Sequence, residues 1–176
     1  HGHMDQVGYD TYCKLLDEVI KEIQGIEIEP EKDIQIDLNV SSYLPDDFIE
    51  NSSQKIEIYQ DIALCRTEEE IQNVIDEIID RFGPMPEKVE NLIEIARIKE
   101  LCKKTGVIKI QEKKESIVFT FDSTEFDMKV VNTLIEKYRN KIKFSPGNMP
   151  YITYKYQNNS DMKKLSEIKE FLRTQI

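Results

Sequence analysis

Histidine is almost missing from this sequence. Its two copies, His1 and His3, belong to the leader His1-Gly2-His3-Met4, which reads as the scar of a cleaved tag with a start Met. Beyond Met4 there is no histidine, and nowhere is there a tryptophan. Without histidine, no Ser-His or Cys-His dyad and no histidine metal site can be assembled. A GxxxxGK(S/T) loop and a GxGxxG turn are also lacking, and the six glycines stand singly. No apolar run approaches the roughly 20 residues that span a bilayer, and no signal peptide is read ahead of Asp5. Cysteine is scarce: Cys13, Cys65 and Cys102 form no CxxC pair. Each falls on an apolar helical stripe, where a free thiol acts as a small hydrophobe. An odd count without a framework fits a reducing compartment, so a cytoplasmic location is expected.

What is abundant is charge. A third of the 176 residues are charged, and the net charge is -10. Affinity for nucleic acid comes largely from cations that neutralise phosphates. A chain this acidic repels that backbone as a whole, so direct nucleic-acid binding is disfavoured and a basic partner surface is better matched. Carboxylates alone do not exclude a hydrolase. They fall on helix faces and in turns, however, and form no recognisable catalytic constellation. No catalytic residue, metal or cofactor is expected.

Apolar spacing divides the chain into elements. Tyr9 to Gln24 reads as a helix, with Asp10 as N-cap and Gly25 as stop. Ile34-Gln35-Ile36-Asp37-Leu38 alternates as a half-buried strand does. Ser42 to Ile49 reads as a helix start, with Pro45 near its first turn. A helix capped by Asn51 or Ser52 runs to about Arg66, with a stripe of Ile56, Tyr59, Ile62 and Ala63. Thr67 and Glu70 have capping-box spacing. The helix they open carries Ile71, Val74, Ile75, Ile78 and Phe82 on one face and ends at Gly83-Pro84. The longest helix runs from Pro86 to about Thr105, and its apolar residues cover more than one narrow stripe, so it packs on two sides.

The last seventy residues change character. Val107–Ile110 and Ser116–Phe121 are strand-like, joined by a charged turn at Lys113-Lys114-Glu115. A helix follows over Phe126–Tyr138 (Met128, Val131, Leu134, Ile135 and Tyr138), then strands at Lys141–Phe144 and Tyr151–Tyr154 around the turn at Ser145–Asn148. Asp161 caps a final helix with Met162, Leu165, Ile168, Phe171 and Leu172 inward. The fold class is therefore α+β: a helical N-terminal lobe, then a small mixed lobe of approximate order ββαββα. The expected segments are the leader 1–4, a first helix within 5–25, a mainly helical lobe with one strand over 26–106, and an α+β lobe over 107–176.

One acidic cluster stands out. On the helix Glu68 to Phe82, Asn73, Asp76, Glu77 and Asp80 lie opposite or beside the apolar stripe, and spacings of three and four place Asp76, Asp80 and Glu77 on adjoining surface. A carboxylate near a helix C-terminus faces the negative end of the dipole, so Asp80 is unfavourable unless a cation meets it. Arg81, Arg97 or a partner's Arg or Lys can supply that cation, and a solvated face is the plain alternative.

Three blocks carry a resemblance. They are Val7–Leu16; Leu44-Pro45-Asp46-Asp47-Phe48-Ile49; and the run Tyr59-Gln60-Asp61-Ile62-Ala63, Glu68–Ile71, Glu77-Ile78-Ile79-Asp80-Arg81-Phe82-Gly83-Pro84-Met85-Pro86, Asn91-Leu92 and Ile95-Ala96-Arg97. In this order and spacing, over about residues 5 to 110, they resemble the C-terminal (TRCF) domain of the bacterial transcription-repair coupling factors, Mfd. The later lobe matches only in pattern. The resemblance implies a piece of a large ATP-driven DNA translocase that removes stalled RNA polymerase and recruits excision repair through UvrA. The motor motifs are absent from this chain. The C-terminal domain looks like a non-catalytic clamp that packs on the UvrB-homology module of the same parent chain and masks its UvrA-binding surface. In that family, acids of the helix ending in Ile-Asp-Arg-Phe-Gly meet basic residues of that module, and the matching positions are Glu77 and Asp80. Val7 to Gln24 resembles the junction that follows the motor. RNA polymerase and UvrA are then indirect partners.

Two competing functions remain open. Lys137, Arg139, Lys141 and Lys143 precede Tyr151, Tyr154 and Tyr156, and interleaved cations and aromatics can hold a single-stranded nucleic acid. Lysines also commonly guard edge strands. A small hydrolase requires a deep pocket of converging carboxylates.

Overall fold

Side-chain caps fix where the helices begin. The computed structural model describes residues 33–157 and 160–176. The expected helix over Tyr9–Gln24, the leader, the family block Val7–Leu16 and Cys13 lie outside them. Asn51 accepts the Gln54 N–H and opens α1 (Ser52–Leu64). Thr67 accepts the Glu70 N–H and opens α2 (Glu68–Phe82), which Gly83 ends at φ 90°. The longest helix, α3 (Glu87–Thr105), starts at Pro86, whose carbonyl accepts from Val89 and Glu90. Gly106 follows it at φ 77°, where an added Cβ would meet that of Glu125 at 3.2 Å.

The first compact unit is Ser41–Ala96. Its core comprises Ile58, Ile62 and Cys65 from the α1 end, Ile71, Val74 and Ile78 of α2, and Val89, Leu92 and Ile93 of α3, sealed by Leu44 and Ile49. The inward stripe of α1 is thus Ile58 and Ile62; Ile56, expected inward, is 49% exposed. Apolar residues circle α1 almost completely, so spacing alone did not fix which side faces the core. The segment Ser42–Ile49 makes a single turn in place of the expected helix, with Phe48 and Ile49 both donating to the Pro45 carbonyl. It is held as an irregular strap: Asn91 donates to the Ser41 carbonyl (2.9 Å), Lys88 to the Tyr43 hydroxyl (2.7 Å) and the Leu44 N–H to the Tyr59 hydroxyl (2.9 Å).

The second unit is Arg97–Ile176 together with 33–40. The division between the two units falls within α3, between Ala96 and Arg97. The strand β1 (Gln35–Asp37), expected in the helical lobe, pairs in parallel with β2 (Val107–Glu112). After β2 come β3 (Ser116–Phe121), α4 (Met128–Tyr138, capped by Asp127), β4 (Ile142–Ser145), β5 (Tyr151–Lys155) and α5 (Asp161–Arg173). The expected ββαββα order is present, in a five-stranded sheet of order β1-β2-β3-β5-β4. Ser160, not Asp161, is the N-cap of α5.

Alternation gives this sheet two unlike faces. Ile110, Ile117, Phe119, Phe121, Ile152 and Tyr154 are buried, as are Val131 and Leu134 of α4 and Leu165, Ile168, Phe171 and Leu172 of α5. Phe119 stacks on Phe171 with ring centroids 4.1 Å apart, and Tyr138 and Tyr154 close around the same ring. Met128, Ile135 and Met162, expected inward, are 54%, 46% and 52% exposed. On the other face the register lines up Lys109, Thr120, Tyr151 and Ser145 across β2-β3-β5-β4. The neighbouring row is Gln111, Val118, Thr153 and Lys143, and Ser116 pairs with Lys155. None of these residues is buried.

A buried ion pair ties this unit together. Lys164, 4% exposed, meets Glu112 at 2.5 Å and donates to the Asn39 carbonyl at 3.1 Å. Glu112 also accepts from the Asn39 N–H (2.8 Å) and the Tyr156 hydroxyl. One polar knot therefore links the segment after β1 to β2, α5 and the end of β5.

Candidate protein-interaction face

The α1–α2 hairpin displays the acidic cluster, and its tight connection sets the angle. Arg66 donates through Nη1 to the Ala63 and Cys65 carbonyls (2.7 and 3.1 Å), covering the open C-terminal end of α1. Its own N–H donates to Glu70 (2.6 Å), while Thr67 Oγ1 accepts from the Glu70 N–H (3.1 Å). The capping-box residues are thus used, with the Glu70 carboxylate reaching one residue beyond the cap.

On this hairpin, Glu77 and Asp80 of α2 are joined by two acids of α1, Glu57 and Asp61, which helix packing alone brings to them. Arg81 Nη1 lies 3.1 Å from Glu57 Oε1 and 3.0 Å from Glu77 Oε1. Carboxylate oxygens of Glu57, Asp61 and Glu77 approach within 4.8 Å of one another. Asp61 responds to this crowding: partial burial raises its pKa, the charges of Glu77 and Glu57 raise it further, and Arg81 opposes them. Hydrogen bonds to Glu57 and Glu77 raise the Arg81 pKa and hold its charge, and its guanidinium lies 5.0 Å from the centroid of the Phe82 ring. Among the described residues these three carboxylates have the spacing that suits a cation, and Arg81 engages two of them, Glu57 and Glu77.

The expected site residues separate by partner. Glu77 is engaged within the chain. Asp76 accepts from Gln72 Nε2 at 2.9 Å and is exposed, as is Asn73. Asp80 is exposed, and among the described residues no cation pairs with it, since Arg81 turns to Glu57 and Glu77. Beside these acids Ile79 leaves 44% of its surface exposed. The signal for Glu57 and Asp61 was present in their i, i+4 spacing, but only the packing of α1 on α2 places them beside Glu77.

The basic strip of the second unit is dispersed. Lys137 pairs with Glu170 at 3.2 Å and donates to Thr174, Tyr154 is buried, and the Tyr156 hydroxyl is taken by Glu112. An open groove of about 460 Å³ beside Lys137, Lys169 and Arg173 lies at the C-terminal ends of α4 and α5. Those ends carry negative dipole charge, which such cations offset. Whole-chain charge also conceals a segregation. Residues 1–96 hold 7 Lys and Arg against 24 Asp and Glu, whereas residues 97–176 hold 17 against 10.

The architecture is that of a domain class with a solved representative. The crystal structure of the C-terminal domain of transcription-repair coupling factor superposes with a TM-score of 0.74, covering 81% of this chain and 91% of that one at 24% identity. This likeness concerns the fold. The TRCF domain family model matches residues 38–131, more than half of the chain, and the chain belongs to that family. Transcription-repair-coupling factor from Staphylococcus haemolyticus is 40% identical over 119 residues, which is 66% of this chain and 10% of that protein. The Borreliella burgdorferi factor is 27% identical over 169 residues, 96% of this chain and 15% of that protein. The chain thus spans only about a tenth to a seventh of the length of these relatives. No helix among the described residues is long and apolar enough to cross a membrane.

Proposed function

We propose that this chain is a non-catalytic regulatory clamp within a longer transcription-repair coupling factor. Its α1–α2 acidic face docks on the basic surface of the UvrB-homology module and masks the surface that recruits UvrA. The observation that carries this reading is Asp80: an exposed carboxylate in the last turn of α2, at the negative end of the helix, with no cation paired to it among the described residues, since Arg81 turns to Glu57 and Glu77. A partner guanidinium there relieves both the dipole and the crowding of Glu57, Asp61 and Glu77. Exposed ion pairs contribute about 0.2–1 kcal/mol each. A few of them make a contact that holds one state of a protein and still releases, and a regulator acts through such a difference between states. RNA polymerase engagement is the event that breaks the contact in this reading.

The test is made in the full-length factor. Asp80→Arg alone, and Glu77→Arg with Asp80→Arg, are expected to increase UvrA binding and resting ATPase. Unchanged binding and ATPase in variants that fold normally refutes the assignment. Asp80→Arg is the cleaner probe, because no ion pair among the described residues is lost with it.

A further inference from the structure

We infer that the second unit binds single-stranded nucleic acid on the bare face of its sheet, at Lys109, Lys143, Lys155 and Tyr151. Of the linear strip Lys137–Lys143 and its tyrosines, only Lys143 and Tyr151 belong to this face; Tyr154 is buried and the Tyr156 hydroxyl is taken by Glu112.

Three observations converge on this face. The first is the charge segregation: the region that builds nearly all of this unit carries seven more cations than anions, although the whole chain is acidic. The second is placement. Lys109 on β2, Lys155 on β5 and Lys143 on β4 alternate to the face opposite the α4–α5 core, and no residue of that face is buried. At about 4.8 Å per strand, Lys109 and Lys143 stand about 15 Å apart across the sheet. The one acid that register adds to this face is Asp37, on the edge strand β1. The third is Tyr151, 40% exposed in the row of Lys109 and flanked across the strands by Thr120 and Ser145. An exposed aromatic ring flanked by hydroxyls, on a sheet face that also carries three lysines, offers a base a stacking surface and its phosphates a set of cations. An acidic peptide is matched by the lysines but gives the ring no comparable partner, so the observations favour a nucleic acid.

The experiment uses the intact chain and a fluorescein-labelled oligothymidylate, read by anisotropy across a salt series. Three lysine contacts to a single strand predict a slope of log affinity against log salt of about -2. Reversing all three, Lys109→Glu with Lys143→Glu and Lys155→Glu, lowers affinity at least about tenfold and flattens that slope. Tyr151→Ala lowers affinity about 5- to 150-fold at unchanged slope, the loss of one stacked base. Reversing Lys129 and Lys163, exposed on the helices, leaves binding within a small factor of native. Circular dichroism of each variant confirms that it folds. The inference is overturned if no binding occurs at low salt, or if reversing Lys129 and Lys163 costs as much as reversing the sheet lysines. It is also overturned if poly-glutamate displaces the oligonucleotide while Tyr151→Ala binds as native does, which would assign the face to an acidic protein.

Discussion

Replacing Lys164 with methionine removes one charge from a place solvent hardly reaches. Its ammonium is 2.5 Å from Glu112, and the two side chains are 4% and 11% exposed. The methionine stem fills most of the same volume, so the loss is chiefly electrostatic. Removing one partner of a buried pair costs about 3–5 kcal/mol, because the other charge stays behind. Here Tyr156 and the Asn39 N–H still donate to Glu112, which places the expected cost near the lower end, about 3 kcal/mol. For a chain of this size that lowers the melting temperature by about 6–12 °C. Glu112→Gln with Lys164→Met recovers part of the loss, since a neutral amide tolerates burial that a lone carboxylate does not. pH supplies an independent check. Burial opposes ionisation of Glu112, but hydrogen bonds from Lys164, Tyr156 and Asn39 outweigh it and hold the carboxyl below its ordinary value of 4.5. A depressed carboxyl contributes its stability above the unfolded value and loses it as pH falls through the folded one. Acidification therefore destabilises the native protein more than Lys164→Met, and the two melting curves converge at low pH. Thermal unfolding followed by circular dichroism at neutral and acid pH decides it. A Lys164→Met variant that melts with the native protein refutes the pairing.

Three further outcomes follow from the packing. Ile78→Ala, at a fully buried position of α2, costs about 3–4 kcal/mol in urea unfolding, whereas Ile79→Ala, one residue on and 44% exposed, stays within about 0.5 kcal/mol. Gly106→Ala costs about 1–3 kcal/mol in the same assay, because φ is 77° and the new Cβ would meet Glu125 at 3.2 Å. Burial pushes the Cys102 thiol up to about 12, so mass spectrometry after iodoacetamide treatment of the folded chain finds Cys102 unlabelled, and urea restores its labelling.

Local chemistry made much of this fold readable. Thr67, Gly83 and Gly106 mark helix ends by hydrogen bonding and backbone freedom that act within a few residues, and the structure uses all three. Ser116–Phe121 reads as a strand, and β3 forms there with burial alternating along it. Long-range pairing was not readable. The strand β1 looks like part of the helical lobe because it precedes it, and only its parallel register with Lys109–Gln111 places it in the second unit. Pro45 reads as the first turn of a helix, but Tyr43, Leu44 and Ser41 are each tied to a distant partner, and those bonds hold the segment irregular. Half of the acidic face was visible as i, i+4 spacing on α2. Glu57 and Asp61 became part of it only through helix packing. The charge segregation was in plain sight and was lost by summing over the whole chain.

The central claim is that the acidic hairpin face holds a basic module of the parent factor. Its most direct test is calorimetric titration of this chain with the separately purified UvrB-homology module, at low and at high salt. The expected result is binding that weakens as salt rises, because exposed pairs are screened within about 10 Å at 0.1 M, and that Asp80→Arg diminishes. Absent binding at low salt, or binding that neither salt nor Asp80→Arg alters, contradicts it.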